Sequence, residues 1–312
     1  MISVVIATYN GSLFLNDQLK SIENQDLLPD EVIISDDCST DETLDIIKKF
    51  SIKSKLNIVV LNNSDRLGYG KNFERGLLHC KGEYIFFSDQ DDVWMPNKIS
   101  YMYNLANQNP NFLCFLNDAL IVNNALKSQG NITKIGQIKK MGLTKKSFVM
   151  GACCLIKRDI LKFTLPFPAH IVSHDNWIVG ISNDLNLCYV SEKVLQLYRR
   201  HDNNESLALF NSTKKINFLN KLANYEKIKR NRISLTLNTV TSLILKIDYL
   251  SPKKENKLIS FLLEKLNDQL DFNIRRLQNL TNKNFFKLSK DLTQGNYKKF
   301  MSGFKSYLLD IL

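Results

Sequence analysis

The first ninety residues alternate between short apolar runs and longer segments with helical spacing, and this alternation restricts the possible folds more than any other feature. Four apolar runs are predicted to be strands, at residues 2–7, 31–35, 57–61 and 82–88. Helices of about 10–15 residues between strands require crossover connections, which are right-handed and produce parallel strands. Because the runs are apolar throughout, helices should cover both faces of the sheet. The pattern predicts an α/β fold with a mostly parallel central sheet flanked by helices.

Polar residues mark the expected starts of the first two helices. Ser12 is predicted to cap the first helix, and Ser39 has the capping-box spacing to Glu42 at the start of the second. A third helix is predicted at residues 69–79. Beyond residue 96 the pattern is helical at first, and the segment 123–147 is predicted as a loop. Further strands are predicted at 112–115, 119–122, 148–156, 187–190 and 194–197.

Positive charge is concentrated in the last hundred residues. Residues 1–212 carry 22 Lys and Arg against 23 Asp and Glu, whereas residues 213–312 carry 20 against 8. Glycine and proline nearly vanish after about residue 211, and leucine and isoleucine recur at helical spacing from Leu258 to Leu277. We therefore predict an α/β domain at 1–210 and a basic helical region at 211–312.

The basic surplus suggests an acidic partner for residues 213–312. An anionic membrane surface fits better than nucleic acid, because the chain shows no recognised DNA-reading helix and no aromatic platform. No nucleic acid is therefore expected as a partner. The alternative is a packed helical bundle whose lysines face solvent.

The cysteines and the N-terminal segment indicate a cytoplasmic protein. The six cysteines form no CxxC pair and no metal-binding spacing, as expected of reduced core thiols. The N-terminal residues are typical of a strand rather than of a signal peptide. The longest apolar run, at 148–156, is far shorter than the ~20 residues needed to span a bilayer. We expect a cytoplasmic location, with peripheral attachment to the inner face of the cell membrane through the basic region.

Polar loops follow three of the predicted strands, and these loops carry the candidate chemistry. Their sequences are TYN at 8–10, DDCSTD at 36–41 and DQDD at 89–92. In a parallel sheet these loops share the edge where ligands bind. Three carboxylates within four residues repel one another unless a cation lies among them, and Mg²⁺ or Mn²⁺ prefers such oxygen ligands. The alternative is an acidic surface turn. Neither a GxGxxG nor a Walker phosphate loop is present.

The same three loops, with the strands before them, resemble the successive signatures of family 2 glycosyltransferases with the GT-A fold. The matching segments are VVIATYN at 4–10, IISDDCSTD at 33–41 and FSDQDD at 87–92. The form SDQDDVW especially resembles bacterial enzymes that build O-antigen and capsular polysaccharides, including rhamnosyl-, glucosyl- and galactosyltransferases. The resemblance implies a nucleotide-diphosphate sugar donor (UDP- or dTDP-sugar), a Mg²⁺ or Mn²⁺ cofactor, inversion at the anomeric carbon, and a saccharide or lipid-diphosphate-linked acceptor.

The resemblance also implies roles for single residues around the donor. The residues implied for donor binding are Thr8, Tyr9, Asn10, Asp36, Lys71, Asp89, Gln90 and Arg199. Asp89 and Asp91 match the Asp-x-Asp positions near ribose and metal. Lys71 has the alternative of being an ordinary solvated lysine, and Ser39 that of being a helix cap.

Two later segments extend the match. SHDNW at 173–177 resembles an acidic dyad in which one carboxylate is the general base; His174 stands at the usual first acid, so Asp175 is the remaining candidate. Its alternative is a helix N-cap. LYRRHDNN at 197–204 resembles a segment that closes over the donor diphosphate, which makes His201 a candidate metal or phosphate ligand. Its alternative is an ordinary surface histidine. Strand alternation turns only one of Arg199 and Arg200 inward.

Taken together, the sequence predicts a metal-dependent inverting glycosyltransferase. One alternative is a nucleotide-binding regulator that keeps the fold without catalysis. The other is a sugar nucleotidyltransferase, which would normally carry a glycine-rich basic loop after the first strand, where this chain has TYNG.

Overall fold

The computed structural model describes residues 1–167, 173–201, 257–282 and 285–296. By its contacts the chain divides into two compact units, Met1–Thr213 and Lys214–Leu312. Among the described residues of the first unit, nine strands form one sheet. These are β1 (Ile2–Thr8), β2 (Glu31–Asp36), β3 (Ile58–Asn62), β4 (Tyr84–Ser88), β5 (Val93–Trp94), β6 (Cys114–Val122), β7 (Ser128–Thr133), β8 (Cys154–Lys157) and β9 (Cys188–Arg199). Its helices are α1 (Leu15–Glu23), α2 (Thr43–Lys53), α3 (Tyr69–His79), α4 (Lys98–Gln108), α5 (Lys134–Lys140), α6 (Leu161–Thr164) and α7 (His174–Asp184).

The first four strands are parallel, as the sequence predicts. The order across the sheet is β3-β2-β1-β4-β8-β6-β9-β5, with β7 paired to β6. Thr8 lies opposite Asp36 in the register of β1 and β2, and Ile6 lies opposite Ser88 in the register of β1 and β4. The loops after β1, β2 and β4 therefore meet at one edge of the sheet.

The second half of the sheet brings a distant part of the chain to that edge. Strand β8 is antiparallel to both β4 and β6, and β6 is parallel to β9, so β9 runs in the same direction as β4. The short β5 pairs antiparallel with β9, which places Val93 opposite Leu197. Because β5 directly follows the acidic turn, this pairing fixes the end of β9 beside that turn.

Helices cover both faces of the parallel strands. Val4 and Ile6 of β1 belong to a buried cluster that includes residues of α1, α2 and α4. Val5, on the opposite face, lies against α3, where a Cβ added to Gly76 would come within 2.5 Å of the Val5 Cγ2. The edge strand β3 is an exception, because Val59 and Val60 are each more than a third exposed.

Both predicted helix caps are wrong. Helix α1 begins at Leu15 behind Phe14, which provides no side-chain cap, and Ser12 lies outside the helix. The Ser39 hydroxyl instead donates to Asp36 Oδ2 at 2.6 Å and accepts from the Asn10 amide of the loop after β1 at 2.9 Å. The amide of Thr43 at the start of α2 donates to Asp41 Oδ1 at 3.0 Å instead.

Several later predictions also need correction. The strand predicted at 148–156 is confirmed only from Cys154; Gly151–Cys153 is a 3₁₀ turn packed against α7. The strands predicted at 112–115 and 119–122 belong to one continuous strand, β6, and those predicted at 187–190 and 194–197 belong to one continuous strand, β9. Bulges between β6 and β9 accommodate the polar residues that interrupt the apolar pattern. The segment predicted as a loop at 123–147 contains β7 and α5.

The described residues of the second unit are helical. Helix α8 (Lys257–Thr281) contains the predicted apolar stripe, and α9 (Phe285–Thr293) follows and packs on it. No helix in the described parts of the chain is both long and apolar enough to cross a bilayer. Much of the predicted basic region, at 211–256 and 297–312, lies outside the described residues.

Candidate active site

The acidic turn after β4 presents its carboxylates in two directions. Asp92 is fully buried: its Oδ2 accepts from Gln196 Nε2 at 2.8 Å, and its Oδ1 accepts from the Arg199 amide at 3.2 Å. Burial raises the pKa of Asp92 well above its ordinary value, and the charges of Asp91 and Asp89 add to this effect. Asp92 therefore belongs to the interior, and only Asp89 and Asp91 remain on the open side of the turn.

Asp91 meets His201, the residue two positions past the end of β9. Asp91 Oδ2 lies 2.8 Å from His201 Nε2, and the two side chains are 13% and 12% exposed. The imidazole also lies against Phe14, with ring centroids 4.8 Å apart. In the described part of the chain no three His, Cys, Asp or Glu side chains are grouped to hold a metal ion. An incomplete ligand set of this kind fits an ion such as Mg²⁺, which typically takes one or two carboxylates and completes its shell with substrate phosphates and water.

Arg199 is built into the fold. Its side chain is 2% exposed, its Nε donates to the Asp91 carbonyl at 2.9 Å, and its NH2 group lies 2.9 Å from Asp17 Oδ2. It also donates to the Asn124 carbonyl and covers the Phe14 ring, with 4.4 Å from the guanidinium carbon to the ring centroid. The guanidinium thus fixes the backbone of the acidic turn.

Arg200 points to a different place. Together with His201 it lines an open pocket of about 390 Å³, whose other wall is the turn Asn123, Asn124 and Ala125 between β6 and β7. The alternation expected along a strand therefore holds: Arg199 is buried in the protein and Arg200 borders an open space beside the Asp91–His201 pair.

The loops after β1 and β2 are joined by Asp36. This buried carboxylate accepts from the Thr8 hydroxyl at 2.6 Å, and from both the amide and the hydroxyl of Ser39 at 2.8 and 2.6 Å. The next loop residues, Asn10 and Cys38, have left-handed backbone conformations with φ of 47° and 63°. Non-glycine residues adopt this conformation at a cost, and they do so most often where function requires it.

Gln90 connects the acidic turn to the loop after β1. Its Oε1 accepts from the Tyr9 amide at 2.9 Å, and its Nε2 donates to the Tyr9 carbonyl at 3.0 Å. A Cβ on Gly11 would come within 2.2 Å of Gln90 Oε1, so this position requires glycine for Gln90 to pack there. One face of the Tyr9 ring is covered by the Arg66 guanidinium at 3.8 Å.

Lys71, at the start of α3, has protein partners. Its Nζ lies 2.5 Å from Glu74 Oε2 and 2.9 Å from the Phe167 carbonyl. Its side chain is 38% exposed. It therefore connects α3 to the segment after α6.

Asp175 lies in the first turn of α7, and Ser173 occupies the N-cap position that the sequence offered as its alternative role. Asp175 Oδ1 accepts from the Asn176 amide at 2.7 Å and from the Ser173 hydroxyl, and Oδ2 accepts from the Gly151 amide at 3.1 Å. These hydrogen bonds fix the orientation of the Asp175 carboxylate. The alternative of Asp175 as an N-cap is therefore wrong.

His174 is buried among aromatic rings. Its ring centroid lies 3.9 Å from that of Phe73 and 5.1 Å from that of Phe87, and neither ring nitrogen has a hydrogen-bond partner. Burial lowers the pKa of His174 to about 4, although the neighbouring Asp175 carboxylate opposes this effect. His174 is therefore neutral at physiological pH. The sequence shows that His174 stands where an acid is usual, but it does not reveal the aromatic rings around the histidine.

Lys98 is a residue at this site that sequence reasoning missed. It is fully buried at the first position of α4, and its Nζ donates to the Ala152 carbonyl at 2.8 Å and to Gln196 Oε1. Burial lowers the pKa of Lys98 to about 8. A lysine at the start of a helix is ordinarily a surface residue, so nothing in the local pattern indicated this position.

Comparison with known proteins gives the class: this protein is a glycosyltransferase of the hexosyltransferase type. The chain belongs to the family described as glycosyl transferase family 2, whose model matches residues 3–164. It is 30% identical over 227 residues to the dTDP-rhamnosyl transferase RfbG of Shigella flexneri, a match that covers 64% of this chain and 73% of that protein.

A second relative agrees with this class, and a solved structure has a similar fold. The chain is 30% identical over 154 residues to the GalNAc(5)-diNAcBac-PP-undecaprenol beta-1,3-glucosyltransferase of Campylobacter jejuni, covering 48% of each protein. The fold resembles the crystal structure of S. aureus TarS 1-349 in complex with UDP, with a TM-score of 0.53 and 20% identity over 90% of this chain and 91% of that one. The predicted GT-A fold is thereby confirmed.

Proposed function

We propose that this glycosyltransferase moves a hexose from a nucleoside-diphosphate sugar to a saccharide acceptor in bacterial surface-polysaccharide synthesis, inverting the anomeric carbon. The contact of Asp91 with His201, 2.8 Å apart at the carboxyl edge of the sheet, carries this proposal. One relative is named as a dTDP-rhamnosyl transferase, and TarS was crystallised with UDP and with UDP-GlcNAc. These names support a UDP- or dTDP-sugar as the donor.

Asp91 and His201 would hold a divalent cation, Mg²⁺ or Mn²⁺, with Asp89 on the same open side of the turn. When bound, such an ion neutralises negative charge on the departing diphosphate. Arg200 is better placed than Arg199 to add a second positive charge there, because the guanidinium of Arg199 is occupied by Asp17 and two carbonyl groups. Thr8, Tyr9, Asn10 and Asp36 would surround the nucleoside, and Gln90 and Lys71 would support this region.

Asp175 would act as the general base. As the acceptor hydroxyl oxygen bonds to the anomeric carbon, the bond from that carbon to the diphosphate oxygen breaks, and the hydroxyl proton passes to Asp175. Attack from the side opposite the leaving group inverts the anomeric centre. The amides of Gly151 and Asn176 orient the carboxylate for this transfer.

The acceptor is proposed to be a saccharide linked to a lipid diphosphate. The name of the Campylobacter relative describes a PP-undecaprenol-linked glycan, which supports this class of acceptor. Such a lipid lies in a membrane, and the surplus of 12 positive charges in residues 213–312 would favour the anionic inner face. This would place the protein peripherally at the inner, cytoplasmic face of the cell membrane.

Replacing the proposed base tests the mechanism directly. Asp175→Asn should lower kcat by about 10²–10⁴-fold, since the hydroxyl proton loses its acceptor, while the affinity for nucleoside diphosphate stays near that of the wild type. Asp159→Asn is the control, because Asp159 is an exposed carboxylate that pairs with the exposed Lys162. Transfer is followed with a panel of UDP- and dTDP-sugars, and the anomeric configuration of the product is read by NMR.

Three results would contradict the proposal. Wild-type kcat in Asp175→Asn would remove the base assignment, and retention of anomeric configuration would remove the inverting mechanism. Release of pyrophosphate instead of nucleoside diphosphate would indicate a nucleotidyltransferase.

Replacing the two neighbouring arginines separates their roles. Arg200→Met should weaken the binding of nucleoside diphosphate about tenfold, with a small change in stability, because it removes one charge-assisted contact. Arg199→Met should lower the free energy of unfolding by about 3 kcal/mol, since it leaves buried carbonyl groups without donors. Calorimetric titration and urea unfolding measure the two quantities. If Arg199→Met weakened nucleoside-diphosphate binding and Arg200→Met lowered stability, Arg199 rather than Arg200 would be the residue that contacts the diphosphate.

A further inference from the structure

Lys98 stands between the two halves of the proposed active site. We propose that Lys98 is a positioning residue that ties the metal-binding turn to the turn that orients the general base. This inference rests on the proposed roles of Asp91, His201 and Asp175. It concerns a buried lysine that contacts neither substrate nor metal.

The ammonium group of Lys98 is fully used inside the protein. Its Nζ donates to the Ala152 carbonyl and to Gln196 Oε1, and it lies 4.0 Å from the centroid of the Trp94 ring. An ammonium has three donors, and these contacts occupy all three directions. Burying such a cation is expensive, and it is tolerated here because the Ala152 carbonyl and Gln196 Oε1 accept from it. A positioning role gives a reason for a lysine here.

One arm of the contacts leads to the metal-binding half. Gln196, itself fully buried, donates from Nε2 to Asp92 Oδ2 at 2.8 Å. Asp92 then accepts from the Arg199 amide at 3.2 Å, and Arg199 Nε donates to the Asp91 carbonyl at 2.9 Å. This chain fixes the end of β9 against the acidic turn, and therefore His201 against Asp91.

The other arm leads to the base. Ala152 lies in the turn Gly151–Cys153, and the amide of Gly151 donates to Asp175 Oδ2 at 3.1 Å. The same turn packs closely on α7, since a Cβ on Gly151 would lie 2.4 Å from His174 Nε2 and 3.3 Å from the Asp175 Cβ. A shift of the Ala152 carbonyl would therefore move the amide that holds Asp175.

Transfer with inversion requires the base and the leaving diphosphate to lie on opposite sides of one carbon. Displacements of about 1 Å in such an arrangement cost on the order of 10²-fold in rate. Lys98 contacts both halves through one atom, Nζ, and so fixes their separation.

Lys98→Met tests this role, because methionine keeps the side chain's length and apolar stem and removes its three donors. With saturating metal and donor, kcat should fall about 10²-fold, and Mn²⁺ should bind about tenfold more weakly by electron paramagnetic resonance titration. In the metal-free protein, amide exchange should quicken in the segments 150–154 and 196–200. Lys157→Met is the matched control, because Lys157 also contacts a carbonyl and an aromatic ring but lies at the Pro110 carbonyl and the Phe115 ring.

Gln196→Met interrupts only the contacts that lead from Lys98 to the acidic turn. It therefore tests the inference even if Lys98→Met does not fold. It should weaken Mn²⁺ binding as much as Lys98→Met does, while lowering kcat at saturating metal less. When Lys98→Met and Gln196→Met are combined, Mn²⁺ affinity should be no lower than in Lys98→Met alone, because the effects of substitutions within one chain of contacts do not add.

Unchanged Mn²⁺ affinity, or additive losses in the double variant, would overturn the inference. Wild-type kcat in a folded Lys98→Met would do the same. If the wild type itself neither binds Mn²⁺ nor transfers sugar, the proposed function fails first. If the wild type does both and the Lys98 variants match it, only the role of Lys98 is wrong.

Discussion

At the scale of single residues, neighbouring side chains of the same type have different surroundings and therefore different chemistry. Asp91 remains on the open side of its turn, whereas Asp92 is fully buried. Arg199 is buried and hydrogen-bonded to backbone, whereas Arg200 borders a pocket. The charge state of His174 is likewise decided by its surroundings, since an unpaired imidazole among aromatic rings is held neutral.

Protonation of His174 should destabilise the protein in acid. The pKa of His174 is about 4 in the folded protein and 6.5 as an ordinary histidine, so as pH falls the unfolded chain binds this proton first. The stability that neutral His174 provides is therefore complete above pH 6.5 and is lost progressively between pH 6.5 and 4. The full loss is about 3 kcal/mol, from 1.36 kcal/mol per pKa unit.

Urea unfolding at a series of pH values measures this effect. His174→Leu removes the ionisable group at similar volume and should flatten the decrease between pH 6.5 and 4. His79→Leu, at an exposed histidine on α3, should keep the wild-type slope. An unchanged slope in His174→Leu would show that other groups cause the acid sensitivity.

At the scale of elements, close backbone approach decides where α3 can lie. Gly76 of α3 faces Val5 of β1 so closely that a Cβ would stand 2.5 Å from a valine methyl group. Gly180 of α7 is also a helical glycine, but a Cβ there would meet no atom of the described residues within 4 Å. The same residue type therefore serves packing in one helix and only reduces helix propensity in the other.

Alanine substitutions at these two glycines should have opposite signs. Gly76→Ala should lower the free energy of unfolding by about 1–3 kcal/mol, because Val5 lies within a packed core. Gly180→Ala should raise it by up to about 1 kcal/mol through helix propensity. Thermal and urea unfolding compare the two variants with the wild type. A stabilising Gly76→Ala would mean that α3 can move away from the sheet at little cost.

At the scale of the whole molecule, charge separates the two units of the chain. Residues 1–212 are nearly neutral, and residues 213–312 carry the basic surplus. An electrostatic attraction of dispersed lysines to anionic lipid is worth roughly 1 kcal/mol per residue near the surface and weakens with salt.

The full-length protein should therefore bind vesicles that contain anionic lipid at low salt and dissociate as salt rises. Vesicles of zwitterionic lipid alone serve as the control and should bind little protein under the same conditions. Sedimentation with vesicles at 0.02 and about 0.5 M salt measures the difference. Equal binding to both kinds of vesicle, or binding that salt does not weaken, would contradict the electrostatic attachment.

The first four strands, their parallel direction and the polar loops after them could be predicted from the sequence, because these features depend on local pattern. Apolar runs of strand length and helical spacing between them require parallel crossovers, and parallel strands bring Thr8, Asp36 and Asp89 to one edge. The long apolar stripe from Leu258 to Leu277 identified α8 for the same reason. The helix caps were wrong because Ser39 and Asp41 accept hydrogen bonds from the loop after β1, which local spacing does not include.

Only the tertiary structure decided how the chemical groups divide between the open site and the interior. Arg199 and Asp92 lie 107 positions apart in the chain, and Lys98 and Gln196 lie 98 apart. Such contacts exist only once β9 has paired with β5 and β6, and no local periodicity encodes that pairing. The sequence by itself determined a sheet with carboxylates at its edge. Long-range strand pairing determined which carboxylate is fully buried, which arginine is buried, and that a buried lysine contacts both Ala152 and Gln196.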